Sequence, residues 1–257
     1  MAMKTPSPRH ALVTGGGQGI GAAIALTLMQ QGCVVTVLGR RLEVVQALAL
    51  QHPEHMHAVA ADVANPEQIT QAFEAARQRF GPVHILVNNA GQAASAPFLK
   101  TDLALWQKML AVNLTGTMLC TQAALPDMLA VGWGRVVNVA STAGQTGYAY
   151  VAAYCAAKHG VVGLTRSLAL EMAKKGITVN AVCPGYTETD IVATSIENIV
   201  AKTGRSEAEA RAEFVKSNPQ GRLVQPHEVA DAVAWLCGPM ASAVTGQAIS
   251  VAGGEVM

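Results

Sequence analysis

Short β-branched runs alternate with longer amphipathic segments along nearly the whole chain, and this rhythm restricts the fold more than any other feature. "ALVTG" from Ala11 is followed by a helix-periodic stretch over Ile20 to Gln31, then "VVTVLG", Leu42 to Gln51, "MHAVAAD", Pro66 to Phe80 and "VHILVNNAG". "RVVNVAS", "GITVNAVCPG" and "GQAISVAGG" continue it. Strands joined through helices run parallel, since a parallel pair needs a long crossover, and right-handed crossovers lay helices on both faces. The expectation is α/β: a doubly wound, parallel, seven-stranded sheet with helices on both faces, in one domain over residues 1–257. No repeat, linker or low-complexity block interrupts the pattern.

Composition agrees with a sheet hidden on both sides. Only 14% of residues are charged, well under the usual ~25%. The formal net charge is +1 and no basic run occurs, so the footprint of a nucleic-acid binder is missing. No apolar run approaches the roughly 18 residues that span a bilayer, and "MAMKTPSPRH" lacks the apolar core of a secretory signal. Cys33, Cys120, Cys155, Cys183 and Cys237 are odd in number, far apart and without a Cys-x-x-Cys pair. Buried, reduced thiols in a cytoplasmic protein without nucleic-acid or membrane partners are therefore expected. "QHPEHMH" gathers His52, His55 and His57 around Glu54, but the spacing fits no strong zinc pattern and no metal is expected.

One segment breaks the rhythm. Residues 186–225 include the charged, helix-prone "KTGRSEAEARAEFVKS". A long interruption inside a compact domain is commonly a lid, here near residues 190–220, while the plainer reading is a solvated pair of surface helices.

"VTGGGQGIG" follows the first strand and opens the first helix. Its glycines, Gly15, Gly19 and Gly21, are spaced G-x-x-x-G-x-G around Gln18 and Ile20. Glycine lets the backbone come close to a pyrophosphate, and the helix N-terminus offers free N–H groups and a positive dipole end. A dinucleotide site usually carries an acid on the adenosine ribose about twenty residues later. Here the second strand ends "VVTVLGRR", with Gly39 where that carboxylate would stand and Arg40 and Arg41 beside it. Guanidinium forks suit a 2′-phosphate and cannot replace a carboxylate on a free diol, which predicts NADP(H) in preference to NAD(H).

"YCAAK" puts Tyr154 and Lys158 at i and i+4, on one helix face. A free phenol titrates near ~10 and a neighbouring ammonium favours its ionised form. Tyr148 and Tyr150 have no such lysine.

These motifs occur in order with "ADV" at Ala61 to Val63, "NNAG" at Asn88 to Gly91, Asn113 in "VNLTG", Ser141 in "NVAST" and "PGYTET" at Pro184 to Thr189. From about Leu12 to Gly254 the chain resembles the short-chain dehydrogenase/reductase superfamily, in its single-domain branch. The resemblance implies a Rossmann-type fold and interconversion of a ketone and a secondary alcohol. It makes Tyr154 the acid/base, with Lys158 lowering its pKa and binding the nicotinamide ribose. Ser141 would hold the substrate oxygen, and Asn113 would anchor a water in a proton relay. Asp62 and Val63 would meet adenine, while Asn89, Ala90 and Gly91 line the cleft. Pro184, Gly185, Thr187 and Thr189 would wrap the nicotinamide carboxamide. Gln145, Tyr148 and Tyr186 are candidate substrate contacts.

Within the family, "YCAAKHGVVGLT" and "GQAISVAGGEVM" resemble enzymes of 3-oxoacyl or 3-hydroxyacyl thioesters, carried on CoA or acyl-carrier protein. Related enzymes take steroids, sugars, polyols or aromatic alcohols. Lys202, Arg205, Arg211 and Lys216 would meet CoA phosphates, or form a solvated face with Glu207, Glu209 and Glu213. A nucleotide sensor or a methyltransferase would also use such a sheet, but neither needs Ser141, Tyr154 and Lys158 together. A homotetramer or homodimer is implied, packed through helices near Asp102 to Ala130 and Tyr150 to Lys174.

Overall fold

The computed structural model describes residues 8–257, without the side chains of residues 191 and 198. The reading of the N-terminal segment as no secretory signal rests largely on residues 1–7, outside the described residues.

Seven strands form one sheet: β1 (His10–Thr14), β2 (Val34–Gly39), β3 (Met56–Ala60), β4 (Ile85–Asn88), β5 (Gly134–Val139), β6 (Ile177–Pro184) and β7 (Ala248–Val251). Their order is β3-β2-β1-β4-β5-β6-β7, and every pairing is parallel. The chain winds outward from β1 to β3, then returns to place β4 on the other side of β1. At that reversal the connections leave in opposite directions and open a crevice at the carboxyl ends of the strands.

Successive strand residues point to opposite faces, and β1 shows it plainly. Ala11 and Val13 enter the cluster holding Ile24 and Leu28 of α1 (Gly19–Gln30), Val45 of α2 (Leu42–Ala49) and Val229 and Val233 of α9 (Pro226–Cys237). Leu12 joins the opposite cluster, with Phe73 of α3 (Pro66–Phe80), Met128 of α5 (Gly116–Val131) and Leu168 of α6 (Ala152–Met172). The α3 boundaries are visible in its chemistry: the Asn65 side chain accepts from Gln68 N, Pro66 takes the first turn, and Gly81 ends it at φ 78°.

Two departures from the expected helices bear on function. The helix over Asp102 to Ala130 is α4 (Leu103–Leu110) and α5 joined by a π-turn at Ala111–Thr115, which carries the buried Asn113. The helix expected from Tyr150 starts at Ala152, because Tyr150 takes a left-handed backbone at φ 68°.

Burial also sets an acid limit on the fold. His10 lies wholly inside, Nδ1 donating to the Gly81 carbonyl at 2.8 Å and Nε2 within 2.9 Å of the Thr36 hydroxyl. Since a carbonyl can only accept, Nδ1 carries the proton, and in the neutral ring Nε2 accepts from Thr36. Burial drives its pKa from 6.5 to about 4. Between those values the unfolded chain binds the proton and the folded chain does not, so stability falls as pH drops below about 6.5 and stops falling near 4. Urea unfolding should therefore show a loss of roughly 3 kcal/mol between neutral pH and pH 4 from this group. A His10→Gln variant should lose that part of the slope; an unchanged slope would remove His10 as its source.

Candidate active site

A cleft of about 1510 Å³ opens over the carboxyl ends of the central strands. Single small-ligand pockets are about 300–1,000 Å³, so there is room for a dinucleotide and a second molecule.

One wall is the glycine loop. Gly15 and Gly19 adopt φ of 62° and 54°, and a Cβ on Gly21 would fall 2.0 Å from the Gly15 carbonyl oxygen. The side chain of Gln18 does not cap α1, which leaves its first-turn N–H groups for a ligand. Thr14, which the motif reading passed over, fixes this wall to the next. Its hydroxyl accepts from Asn89 N at 3.0 Å and Ala90 N at 2.9 Å, while Asn89 Nδ2 donates to the Thr14 and Gly15 carbonyls. Ile20, Arg40, Asp62, Val63 and Gly91 also line the cleft. The Asp62 carboxylate accepts from Ala64 N, holding the turn after β3. Arg41 donates to Gln18 Oε1 at 2.6 Å, and Gln18 Nε2 donates to Asp190 Oδ2 at 3.0 Å, so a polar chain spans the mouth.

The other wall gathers the acid/base candidates. Ser141 leaves the end of β5, its Oγ accepting from Ala143 N at 3.1 Å and hydrogen-bonded to the Tyr154 phenol. Lys158, only 4% exposed, donates to the Val139 carbonyl at 2.8 Å with Nζ 5.7 Å from the Tyr154 ring centre. Gly91 lets Asn113 and Lys158 approach one spot: a Cβ there would lie 2.8 Å from Asn113 Oδ1 and 3.6 Å from Lys158 Nζ. Asn113 is held by donating to the carbonyls of Gln92 and Met109.

Electrostatics here differ from the expectation of a phenol lowered by its lysine. Burial raises Tyr154 to about 12, only partly countered by the Ser141 bond, and burial lowers Lys158 to about 8. Both charged forms lose hydration, and the ammonium bonded to Val139 does not offset that cost.

Of the substrate candidates, Tyr148 and Tyr186 line the cleft and Gln145 does not. Gln145 instead donates to the Ala248 carbonyl and accepts from Ser250 Oγ, serving β7. The Tyr148 hydroxyl donates to Glu255 Oε1 at 2.7 Å, and Tyr148, Tyr186 and Phe214 meet edge to face. Tyr150 also lines the cleft, its carbonyl accepting from Ala96 N at 2.8 Å. A left-handed backbone costs an ordinary residue roughly 1–2 kcal/mol.

The segment over 186–225 contains α7 (Asp190–Thr203) and α8 (Glu207–Val215). Val192, Ile196, Ala210 and Leu223 form a small core between them, while Val192, Thr194, Ile199, Lys202 and Phe214 turn toward the cleft. The pair thus borders the cleft on one side and presents a solvated face on the other. Arg205 pairs with Glu213 at 3.1 Å and Arg211 with Glu188, leaving Lys202 as the one lid cation of the four that lines the cleft. Pro184, Gly185, Thr187 and Thr189 lead into it along the rim. Among the described residues, no group of three or more His, Cys, Asp or Glu is placed to hold a metal ion.

The family model for short chain dehydrogenases matches residues 9–199. The chain is a short-chain dehydrogenase. Over 250 residues it is 40% identical to the cis-4-hydroxycyclohexanecarboxylate dehydrogenase of Sinomonas cyclohexanicum, covering 96% of each chain. It is 39% identical over 247 residues to the 3-oxoacyl-[acyl-carrier-protein] reductase of Aquifex aeolicus, covering 95% of each. The crystal structure of an actinorhodin polyketide ketoreductase variant with NADPH superimposes with a TM-score of 0.93 at 41% identity, covering 98% of this chain and 99% of that one. This short-chain dehydrogenase is accordingly an NAD(P)-dependent oxidoreductase that interconverts a ketone and a secondary alcohol. None of its described helices is long and apolar enough to cross a membrane.

Proposed function

We propose that this dehydrogenase reduces the ketone of a 3-oxoacyl thioester, carried on CoA or acyl-carrier protein, with NADPH in preference to NADH. The observation that carries the reaction is the hydrogen-bonded hydroxyl pair of Ser141, after β5, and Tyr154, on α6, inside a cleft that also contains the glycine loop. The name of the Aquifex aeolicus relative supports the thioester.

The residues fit a dinucleotide. Gly21 has no space for a Cβ, and the N–H groups that open α1 are uncapped by a side chain, as a pyrophosphate requires. Arg40 and Arg41 would take the 2′-phosphate, Asp62 and Val63 the adenine, Asn89, Ala90 and Gly91 the cleft floor, and Pro184, Gly185, Thr187 and Thr189 the carboxamide. When bound, the reduced nicotinamide supplies the hydride to the carbonyl carbon. The chain's own residues handle the proton. Ser141 and Tyr154 hydroxyls donate to the ketone oxygen, and the Tyr154 proton moves to that oxygen as negative charge develops on it. A phenol raised to about 12 stays protonated at neutral pH, the form a reductase needs. Lys158 faces the phenolate left behind, and Asn113 beside it is placed to hold water for reprotonation.

We further read the whole chain as one domain that acts in the cytoplasm as a homotetramer or homodimer. Leu103, Leu129 and Leu170, on α4, α5 and α6, are exposed apolar residues of the kind that such contacts cover.

Loss of reduced-nucleotide absorbance with acetoacetyl-CoA tests both halves. NADPH should be preferred at least ~10-fold in kcat/KM, and Arg41→Ala should erase about that factor, the scale of one charge-assisted hydrogen bond. A preference for NADH would refute the cofactor assignment. Turnover of cyclohexanone but of no thioester would refute the acyl assignment.

A further inference from the structure

All four tyrosines of this chain line the cleft, in a protein with only 4% aromatic residues. Three of the rings have protein partners: Tyr154 binds Ser141, Tyr148 binds Glu255, and Tyr186 packs between Tyr148 and Phe214. Tyr150 has none. Its ring is 67% exposed and, among the described residues, it makes no hydrogen bond or ring contact.

Its backbone makes that exposure informative. Tyr150 is the one described non-glycine residue with a positive φ. Glycine or asparagine would occupy this conformation with less strain, so a bulky ring here is a poor choice for folding. Strain that the surroundings hold in place points toward a ligand when it sits in a cleft. The bond from Ala96 N to the Tyr150 carbonyl fixes the ring's base to the loop after β4. Ala93, Ala94, Ala96, Pro97 and Ala149 line the same rim. Most of these side chains are small and apolar, with Ser95 among them, so little bulk from this run competes with a ligand for the cleft. Tyr154 follows four residues later, in the first turn of α6, and lines the same cleft, so the ring stands near the reacting carbonyl.

We propose that Tyr150 is a specificity-determining residue that stacks on a planar ring next to the reacting ketone, so that ring-bearing 3-oxoacyl groups are chosen over linear ones. The acyl part of this statement rests on the thioester reading above; the ring part does not.

The test compares two matched pairs with NADPH: acetoacetyl- against 3-oxo-3-phenylpropanoyl-pantetheine, and butan-2-one against 1-tetralone. The wild type should favour the ring member of each pair. Tyr150→Gly should reduce the ring-to-linear ratio of kcat/KM by about 10-fold, chiefly through KM, the scale of one aromatic stacking contact with its buried area. Tyr150→Phe, which keeps the ring, should hold the ratio within about 2-fold. The Tyr150→Gly unfolding midpoint should stay level or rise as the strain is relieved, and Tyr150→Asn provides the same comparison if the glycine variant folds poorly. A ratio unchanged in the ring-free variants would overturn the proposal. Inert thioesters with the ketone ratio still shifted by Tyr150→Gly would sink the thioester reading and support this one.

Discussion

Replacing Tyr154 by phenylalanine is expected to lower turnover by about 10³-fold, within the range assigned to a positioned acid/base group, while NADPH affinity changes little. The substitution removes one oxygen from a half-buried ring and leaves the ring's packing in place. What it deletes is the phenolic proton donor of α6, bonded to Ser141 and one turn from Lys158. Without it, Ser141 can still hydrogen-bond a ketone oxygen, but its aliphatic hydroxyl is a far weaker acid than the phenol. Turnover by loss of NADPH absorbance, with nucleotide affinity from protein fluorescence, separates the two effects. Near-normal turnover would remove Tyr154 from the proton path.

The second large effect is expected from Gly21→Ala. A methyl group there would sit 2.0 Å from the Gly15 carbonyl oxygen and 2.5 Å from Asn89 Nδ2. Neither obstacle can swing away. The carbonyl belongs to a left-handed turn, and the amide is already bonded to the Thr14 and Gly15 carbonyls. The loop must shift, taking with it the N–H groups that would receive the pyrophosphate. NADPH affinity should fall about 100-fold, the loss of roughly two charge-assisted hydrogen bonds, and thermal stability should fall as well. Titration calorimetry beside a melting curve gives both readouts, and affinity within a few-fold of the parent would show that the loop does not cradle the nucleotide.

The fold was readable because each strand is a short apolar run between helical periods, and that pattern reports directly which faces are buried. The glycine loop and Tyr154 were readable for a related reason: both lie at the turn from a strand or loop into a helix, where local spacing sets direction. Contacts between distant polar side chains were not readable. Nothing near Gln145 announces that Ala248 and Ser250 will claim its amide, and nothing near Tyr148 announces Glu255. The lysine's effect on Tyr154 was misjudged because sequence spacing gives proximity but not the depth of burial, which here governs both groups. The left-handed backbone of Tyr150 was hidden too, since an aromatic residue is not the sequence signal for that conformation.

The parallel sheet also shapes how the chain reaches its folded state. Even the most local strand pair joins Val35 to Met56, and the central pair of β1 with β4 joins Ala11 to Ile85. Among the described residues no hairpin pairs two strands of the sheet, so every pairing must close a long loop, and β1 has both neighbours only once β4 has docked. Long-range pairing of this kind predicts slower folding than a hairpin-rich or helical chain of equal length, with the open middle of the sheet as the stretch to protect from aggregation.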